Sequence, residues 1–206
     1  TVLDYGSTGD VAFLVTEFFP DGDLGSLIMA HGPLEPLAAV ELVAQVCEGL
    51  QDAHDAGVLH RDVKPSNVLL WQRSGGWIPY LCDFGIATDG IGDQTATGSL
   101  VGSLSYMAPE RHQGATASVA GDVYSTGCLL WAVLTGRAPY SGTDFQVMLA
   151  HSSADIPQLA ADDPISIGIN AVLRDALAKD PARRTPTAHA LQARLRRLHE
   201  LHARES

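Results

Sequence analysis

The chain reads as an α+β fold in which two strands lead into a mainly helical body, and three observations carry that reading. An apolar run at residues 11–15 follows Gly6-Ser7-Thr8-Gly9-Asp10, so residues 2–5 and 11–18 read as two strands around a turn. Past Pro20-Asp21-Gly22 the apolar spacing becomes helical, with Leu37, Val40, Val43, Cys47, Leu50 and His54 on one stripe. With 206 residues, 46% of them hydrophobic, the chain can bury a substantial core as one domain or most of one.

The elements follow in order. Residues 24–30 form a short helix, and the longer helix after it stops at Gly57. A polar loop over residues 60–67 comes next, framed by short strands at 68–70 and 78–82. Between those strands, Trp71-Gln72-Arg73-Ser74-Gly75-Gly76-Trp77 reads as a hairpin turn, whose tryptophans serve strand packing or offer a partner contact. Residues 83–110 are rich in glycine, serine and threonine and read as a long functional segment. Residues 119–134 are apolar enough for a buried helix, broken by Thr135-Gly136-Arg137-Ala138-Pro139. Residues 169–178 and 188–199 are further helices. The last turns Leu191, Leu195, Leu198 and Leu201 inward and sets Arg194, Arg196 and Arg197 on a solvated face.

A formal net charge of -11 argues against a general nucleic-acid or anionic-membrane surface. Cys47, Cys82 and Cys128 lie far apart in or beside apolar runs, as buried thiols in a reducing compartment do. No apolar stretch is long enough to cross a bilayer, and the first residues show no targeting pattern. The expected setting is cytoplasmic, either free or as the cytoplasmic part of a membrane-anchored protein.

The chemistry concentrates in His60-Arg61-Asp62-Val63-Lys64-Pro65-Ser66-Asn67. Asp62 can accept a proton from an attacking hydroxyl, Lys64 can neutralise a phosphoryl oxygen, and the amide oxygen of Asn67 can ligate a hard cation. Asp83-Phe84-Gly85 supplies a second carboxylate, and Ala108-Pro109-Glu110 follows at loop length. Any one of these alone is as well explained by a capped turn. Their order and spacing together suit phosphoryl transfer, in which positioning and charge neutralisation carry most of the catalysis.

This series resembles the eukaryotic-like, bacterial-type serine/threonine protein kinases. The resemblance implies a protein-kinase-like fold with a complete, mainly α-helical large lobe (residues 21–206), preceded by only the last two strands of the small-lobe sheet and the hinge (residues 1–20). It implies Asp62 as catalytic base, Lys64 on the transferred phosphate, and Asn67 and Asp83 as ligands of Mg2+. Lys64-Pro65 and Gly102-Ser103-Leu104-Ser105-Tyr106 resemble the serine/threonine branch, with Ser103 touching Asp62 and Lys64. Residues 83–110 become the activation segment, in which Thr95 and Thr97 match positions of autophosphorylation and Arg61 binds the resulting phosphate. Autophosphorylation would bring in a homodimer. For ATP, the resemblance implies Thr16 as gatekeeper, Glu17 and Phe19 on the stretch meeting adenine, Asp23 on the ribose and Leu69 as pocket floor. His60 and Phe84 would stack, Glu110 and Arg184 would pair, and Asp122 would anchor the loop backbone.

The sequence departs from that family at its start. No Gly-x-Gly-x-x-Gly precedes the hinge, and the two lysines, Lys64 and Lys179, both lie beyond it. The chain therefore reads as an N-terminally truncated kinase domain, expected to transfer phosphate poorly in this form. The alternatives are a degenerate kinase acting as a nucleotide-binding or scaffold module, and a small-molecule phosphotransferase, which generally lacks the Ala108-Pro109-Glu110 segment. The partners implied are ATP and protein substrates, with no nucleic acid and no membrane contact within these residues.

Overall fold

A computed structural model of the chain describes residues 2–9, 11–74, 76–84 and 104–203. It begins with an antiparallel hairpin of β1 (Val2–Thr8) and β2 (Val11–Thr16), in which Thr8 faces Val11. The strands run further than residues 2–5 because Gly6 and Ser7 pair with Phe13 and Ala12. Gly6 permits this: a Cβ there would lie 2.7 Å from the Phe13 ring. Leu3, Tyr5, Val11, Phe13 and Val15 are all exposed.

Helix α1 (Leu24–His31) is capped by Asp23, whose carboxylate accepts from the Ser26 N–H at 3.0 Å. Helix α2 (Pro36–Asp55) starts with proline in its first turn and buries Val40, Val43, Cys47 and Leu50. Gly57, at φ 76°, carries the chain out of it. A 3₁₀ turn (Pro65–Asn67) then feeds β3 (Val68–Arg73), which pairs antiparallel with β4 (Gly76–Leu81). The expected seven-residue turn is thus mostly strand: Trp71 pairs with Ile78, Gln72 with Trp77 and Arg73 with Gly76. Aromatic packing explains the extension, because Arg73 lies over the Trp71 ring at 3.8 Å and Trp71 and Tyr80 meet on one face.

The α-helices among the remaining described residues are α3 (Pro109–His112), α4 (Val119–Thr135), α5 (Asp144–Ser153), α6 (Pro164–Ala176) and α7 (Ala188–His202). Helix α4 is the axis of the lobe, with Val123, Tyr124, Cys128, Leu129 and Val133 fully buried. It ends at Gly136 in the left-handed region, φ 74°. Helix α5 was not foreseen. Only Val147 and His151 turn inward while Phe145 and Leu149 stay exposed, so the apolar spacing marks no single face. Its legible signal was the reciprocal capping box of Thr143 and Gln146. Helix α6 starts before residue 169 because Asp163 caps Ser166 at 2.8 Å and Pro164 opens the first turn.

Along α7, Leu191 and Leu195 are buried and Leu198 packs against the core, but Leu201 is 55% exposed. Its inward placement is corrected: the apolar stripe outruns the surface it covers. The arginines of α7 are paired as well as solvated, Arg194 with Asp175 at 2.6 Å and Arg196 with Glu48 at 2.7 Å. The three cysteines are free thiols. Among the described residues, no helix is long and apolar enough to cross a membrane.

Candidate active site

The loop between α2 and β3 is shaped by a carboxylate that arrives from α4. Asp122 is 3% exposed and accepts from the His60 N–H at 2.9 Å, the Arg61 N–H at 2.8 Å and His54 Nε2 at 2.8 Å. A buried carboxylate is costly unless hydrogen-bonded, and these donors compensate it. Arg61 sits at φ 71° under their grip. Among the described residues only Arg61 and Asp83 combine a side chain with positive φ, and both adjoin or belong to the acidic set, where held backbone strain is characteristic of functional sites.

The turn at Arg61 brings Asp62 round to Lys64 and Asn67. Lys64 Nζ lies 2.6 Å from Asp62 Oδ2, with the Asp62 side chain 27% exposed and that of Lys64 12%. Asn67 Nδ2 donates to the Asp62 carbonyl at 2.8 Å and to Asp62 Oδ2 at 3.0 Å. That commits the Asn67 nitrogen to Asp62, leaving Oδ1 as the side chain's remaining lone-pair donor. Asp62 therefore has one orienting amide, one neutralising cation and an open side toward solvent. This arrangement can receive a proton from a hydroxyl while a neighbouring positive charge meets an anionic group.

Asp83 joins through the hairpin. Val68 pairs with Leu81, and the Cys82 N–H donates to the Asn67 carbonyl at 3.0 Å, so Asp83 follows directly on a residue bonded to Asn67. The Cys82 thiol, pushed up to about 12 by burial and then by the Asp83 charge, stays protonated and points at Asp83 Oδ2, 3.7 Å away. The exposed Asp83 carboxylate and the Asn67 amide oxygen are both hard-oxygen donors of the type Mg2+ takes, an ion that uses few protein ligands and completes its shell with water and phosphate oxygens.

His60 is fully buried and its ring centroid lies 4.5 Å from that of Phe84. Burial lowers its pKa and keeps it neutral, and its Nδ1 accepts the Asp62 N–H at 3.3 Å. It shapes the loop from inside.

Of the candidate nucleotide-binding residues, Phe19, Asp23 and Leu69 meet at β3. Leu69 bridges Asp23, the Leu70 N–H donates to the Gly22 carbonyl at 2.9 Å, and the Gln72 N–H donates to Asp21 at 2.8 Å. The Phe19 ring packs against Tyr80 at 4.9 Å and Trp71 at 5.9 Å. Glu17 is half-buried just past β2, where Thr16 ends the strand exposed. Asp23 has a structural task besides, since both its oxygens serve Ser26. Thr95, Thr97 and Ser103 lie outside the described residues.

Arg184 meets Glu110 in a two-pronged pair, and the Ser125 hydroxyl donates to the Tyr106 carbonyl at 2.7 Å. Two contributors were missed from sequence. His54, read as part of an apolar stripe, is a ligand of Asp122; a polar side chain on that stripe was the available sign. Tyr124 Oη and the Ser105 carbonyl are linked through buried His151, at 2.8 and 3.1 Å. No local signal identifies that chain, because its members come from three separate segments.

Comparison with known proteins follows the same lines. The family model described as "Protein kinase domain" matches residues 1–195. The chain is 36% identical over 198 residues to serine/threonine-protein kinase PknB of Mycobacterium leprae, covering 94% of this chain and 31% of that protein. It is 38% identical over 194 residues to serine/threonine-protein kinase PknE of Mycobacterium tuberculosis, covering 93% and 34%. It thus spans about a third of the length of these curated relatives. Among solved structures, Rad53 in complex with AMP-PNP superposes with a TM-score of 0.71 at 26% identity, covering 92% of this chain and 48% of that one.

Proposed function

The chain belongs to the protein kinase domain family, and from that premise we propose that it serves as the catalytic domain region of a serine/threonine protein kinase, transferring the γ-phosphate of ATP to hydroxyls of protein substrates. The observation that carries the reading is the Asp62–Lys64–Asn67 constellation, with contacts of 2.6 to 3.0 Å. Asp62 orients the substrate hydroxyl and takes up its proton, and Lys64 meets the transferred phosphoryl group. Asn67 and Asp83 hold the metal. Mg2+, when bound, neutralises charge on the phosphate oxygens. Glu17, Phe19, Asp23 and Leu69 line the nucleotide side; the use of ATP itself is supported by the AMP-PNP complex of the similar Rad53.

Residues 1–20 act as the small-lobe remnant and hinge, residues 21–206 as the large lobe, and residues 83–110 as the activation segment. Within that segment Thr95 and Thr97 are the candidate phosphorylation sites, Arg61 the phosphate-binding group and Ser103 a contact of Asp62 and Lys64. The partners are ATP and protein substrates.

The test uses the full-length protein with radiolabelled ATP and Mg2+. Label should enter protein serine or threonine, and Asp62→Asn should lower kcat by about 10²- to 10⁴-fold. Asp83→Asn should weaken Mg2+-dependent ATP binding in titration calorimetry. Absence of labelled protein, or label undiminished by Asp62→Asn, would overturn the reading; nucleotide binding with no transfer would favour a nucleotide-binding scaffold.

A further inference from the structure

Beside the Asp62–Lys64 pair the surface opens into a groove of about 560 Å3. Ile28 and Met29 of α1 form one wall, Lys64 lies in its floor, and Tyr106 and Arg137 face them from the other side. Its lining is unusual for this chain. Among the described residues no aspartate or glutamate borders it, although the sequence carries 24 acidic residues and a net charge of -11. Met29 is held 85% exposed at its edge.

Arg137 follows the left-handed cap Gly136 and is exposed. Its carbonyl is anchored, accepting from the Thr135 hydroxyl at 3.2 Å, whereas its guanidinium has no carboxylate partner among the described residues. Lys64, the other cation of the lining, is already engaged with Asp62. Arg137 is therefore the charge left to a visitor.

The position of the groove names the visitor. A hydroxyl reaching Asp62 arrives at the end of the groove floor, because Lys64 both lines the groove and touches Asp62 at 2.6 Å. An extended polypeptide advances about 3.3 Å per residue, so side chains within about three residues of the acceptor must lie along this lining.

We propose that the groove selects substrate segments carrying an acidic side chain and a large apolar side chain close to the phosphoacceptor, with Arg137 pairing the acid and Met29 packing against the apolar group. The proposal rests on the phosphotransfer reading above. It makes Arg137 and Met29 specificity-determining residues, and their effect belongs in KM, since they contact flanking residues and not the reacting atoms.

The experiment measures phosphorylation by the full-length protein of serine peptides with Asp, Ala, Lys or Leu at each of three positions on either side of the acceptor. The wild type should favour Asp over Lys at one or more positions by about fivefold in KM, the scale of a partly exposed ion pair, with kcat little changed. Arg137→Glu should reverse that order, and Arg137→Lys should keep it. Met29→Ser should abolish a preference for Leu. An Asp preference that survives Arg137→Glu, or no preference in the wild type, would overturn the proposal. A change in self-association by sedimentation with peptide preference unchanged would overturn it in favour of a second copy as occupant. No transfer to any peptide would overturn the kinase reading and this proposal with it.

Discussion

Arg184 and Glu110, 74 residues apart in sequence, meet through two parallel bonds of 2.6 Å. The three remaining guanidinium donors go to the carbonyls of Ala178, Ala120 and Lys179 at 2.7, 3.0 and 3.1 Å, so every N–H is used. The planar fork ties the chain around Pro109–His112 to the start of α4 and to the turn after α6. An ammonium cannot span these acceptors, so Arg184→Lys should fail to rescue. Arg184→Ala is expected to destabilise the fold by about 3–5 kcal/mol, with Arg184→Lys retaining only a fraction, checked by urea denaturation.

Asp122 should be equally intolerant of its amide. Asparagine has one acceptor oxygen where His60, Arg61 and His54 present three donors, and its NH2 would face an N–H. Asp122→Asn is expected to cost about 1–3 kcal/mol of stability. Released from its grip, Arg61 relaxes away from positive φ and Asp62 shifts, so kcat should fall on the order of 10²-fold at a temperature where circular dichroism shows the variant folded.

Acid should weaken the protein through its buried histidines. Burial, aided by the neighbouring His112 and Lys179, lowers the His151 pKa from 6.5 to about 3, and burial also lowers His60 and His112. Between 6.5 and about 3 the unfolded chain protonates His151 and the folded one does not. The contribution of His151 is therefore complete above pH 6.5 and falls as the pH drops toward 3, by about 1.4 kcal/mol per pH unit, and the lowered His60 and His112 act in the same direction. Urea midpoints measured from pH 7.5 down to 4.5 should show the decline, and His151→Gln should flatten its slope by one histidine's share.

Close approach of α4 and α6 depends on Gly127. A Cβ there would stand 2.9 Å from the Ala176 Cβ and 3.0 Å from Leu177 Cδ2, both in the packed core. Gly127→Ala should destabilise by about 1–3 kcal/mol despite the better helix propensity of alanine, because the core must move to admit a methyl group. Thermal denaturation measures the shift.

Much of this was legible in the chain. The helical stripe of α2 was readable because it follows a period of 3.6, and the stop at Gly57 because glycine adopts positive φ freely. The candidate catalytic groups around Asp62 and Asp83 were readable by type and spacing. Less legible were features made by distant segments meeting. Helix α5 shows no apolar stripe, Leu201 continues a stripe beyond the surface that would cover it, and Trp71 and Trp77 extend their strands through contacts with residues outside the local window.

Sequence alone determined the chemistry on offer: a carboxylate, an ammonium and an amide within six residues, with a second carboxylate after a short hairpin. It could not distinguish the duties of the acids. Asp62 keeps a solvent-facing side while Asp122 is buried beneath three donors, and that division exists only because α4 delivers Asp122 to a loop 62 residues earlier in the chain. Burial sets the cost of a charge, and burial is decided by long-range packing. The identical side group is thus a solvent-facing carboxylate in one place and a structural anchor in the other.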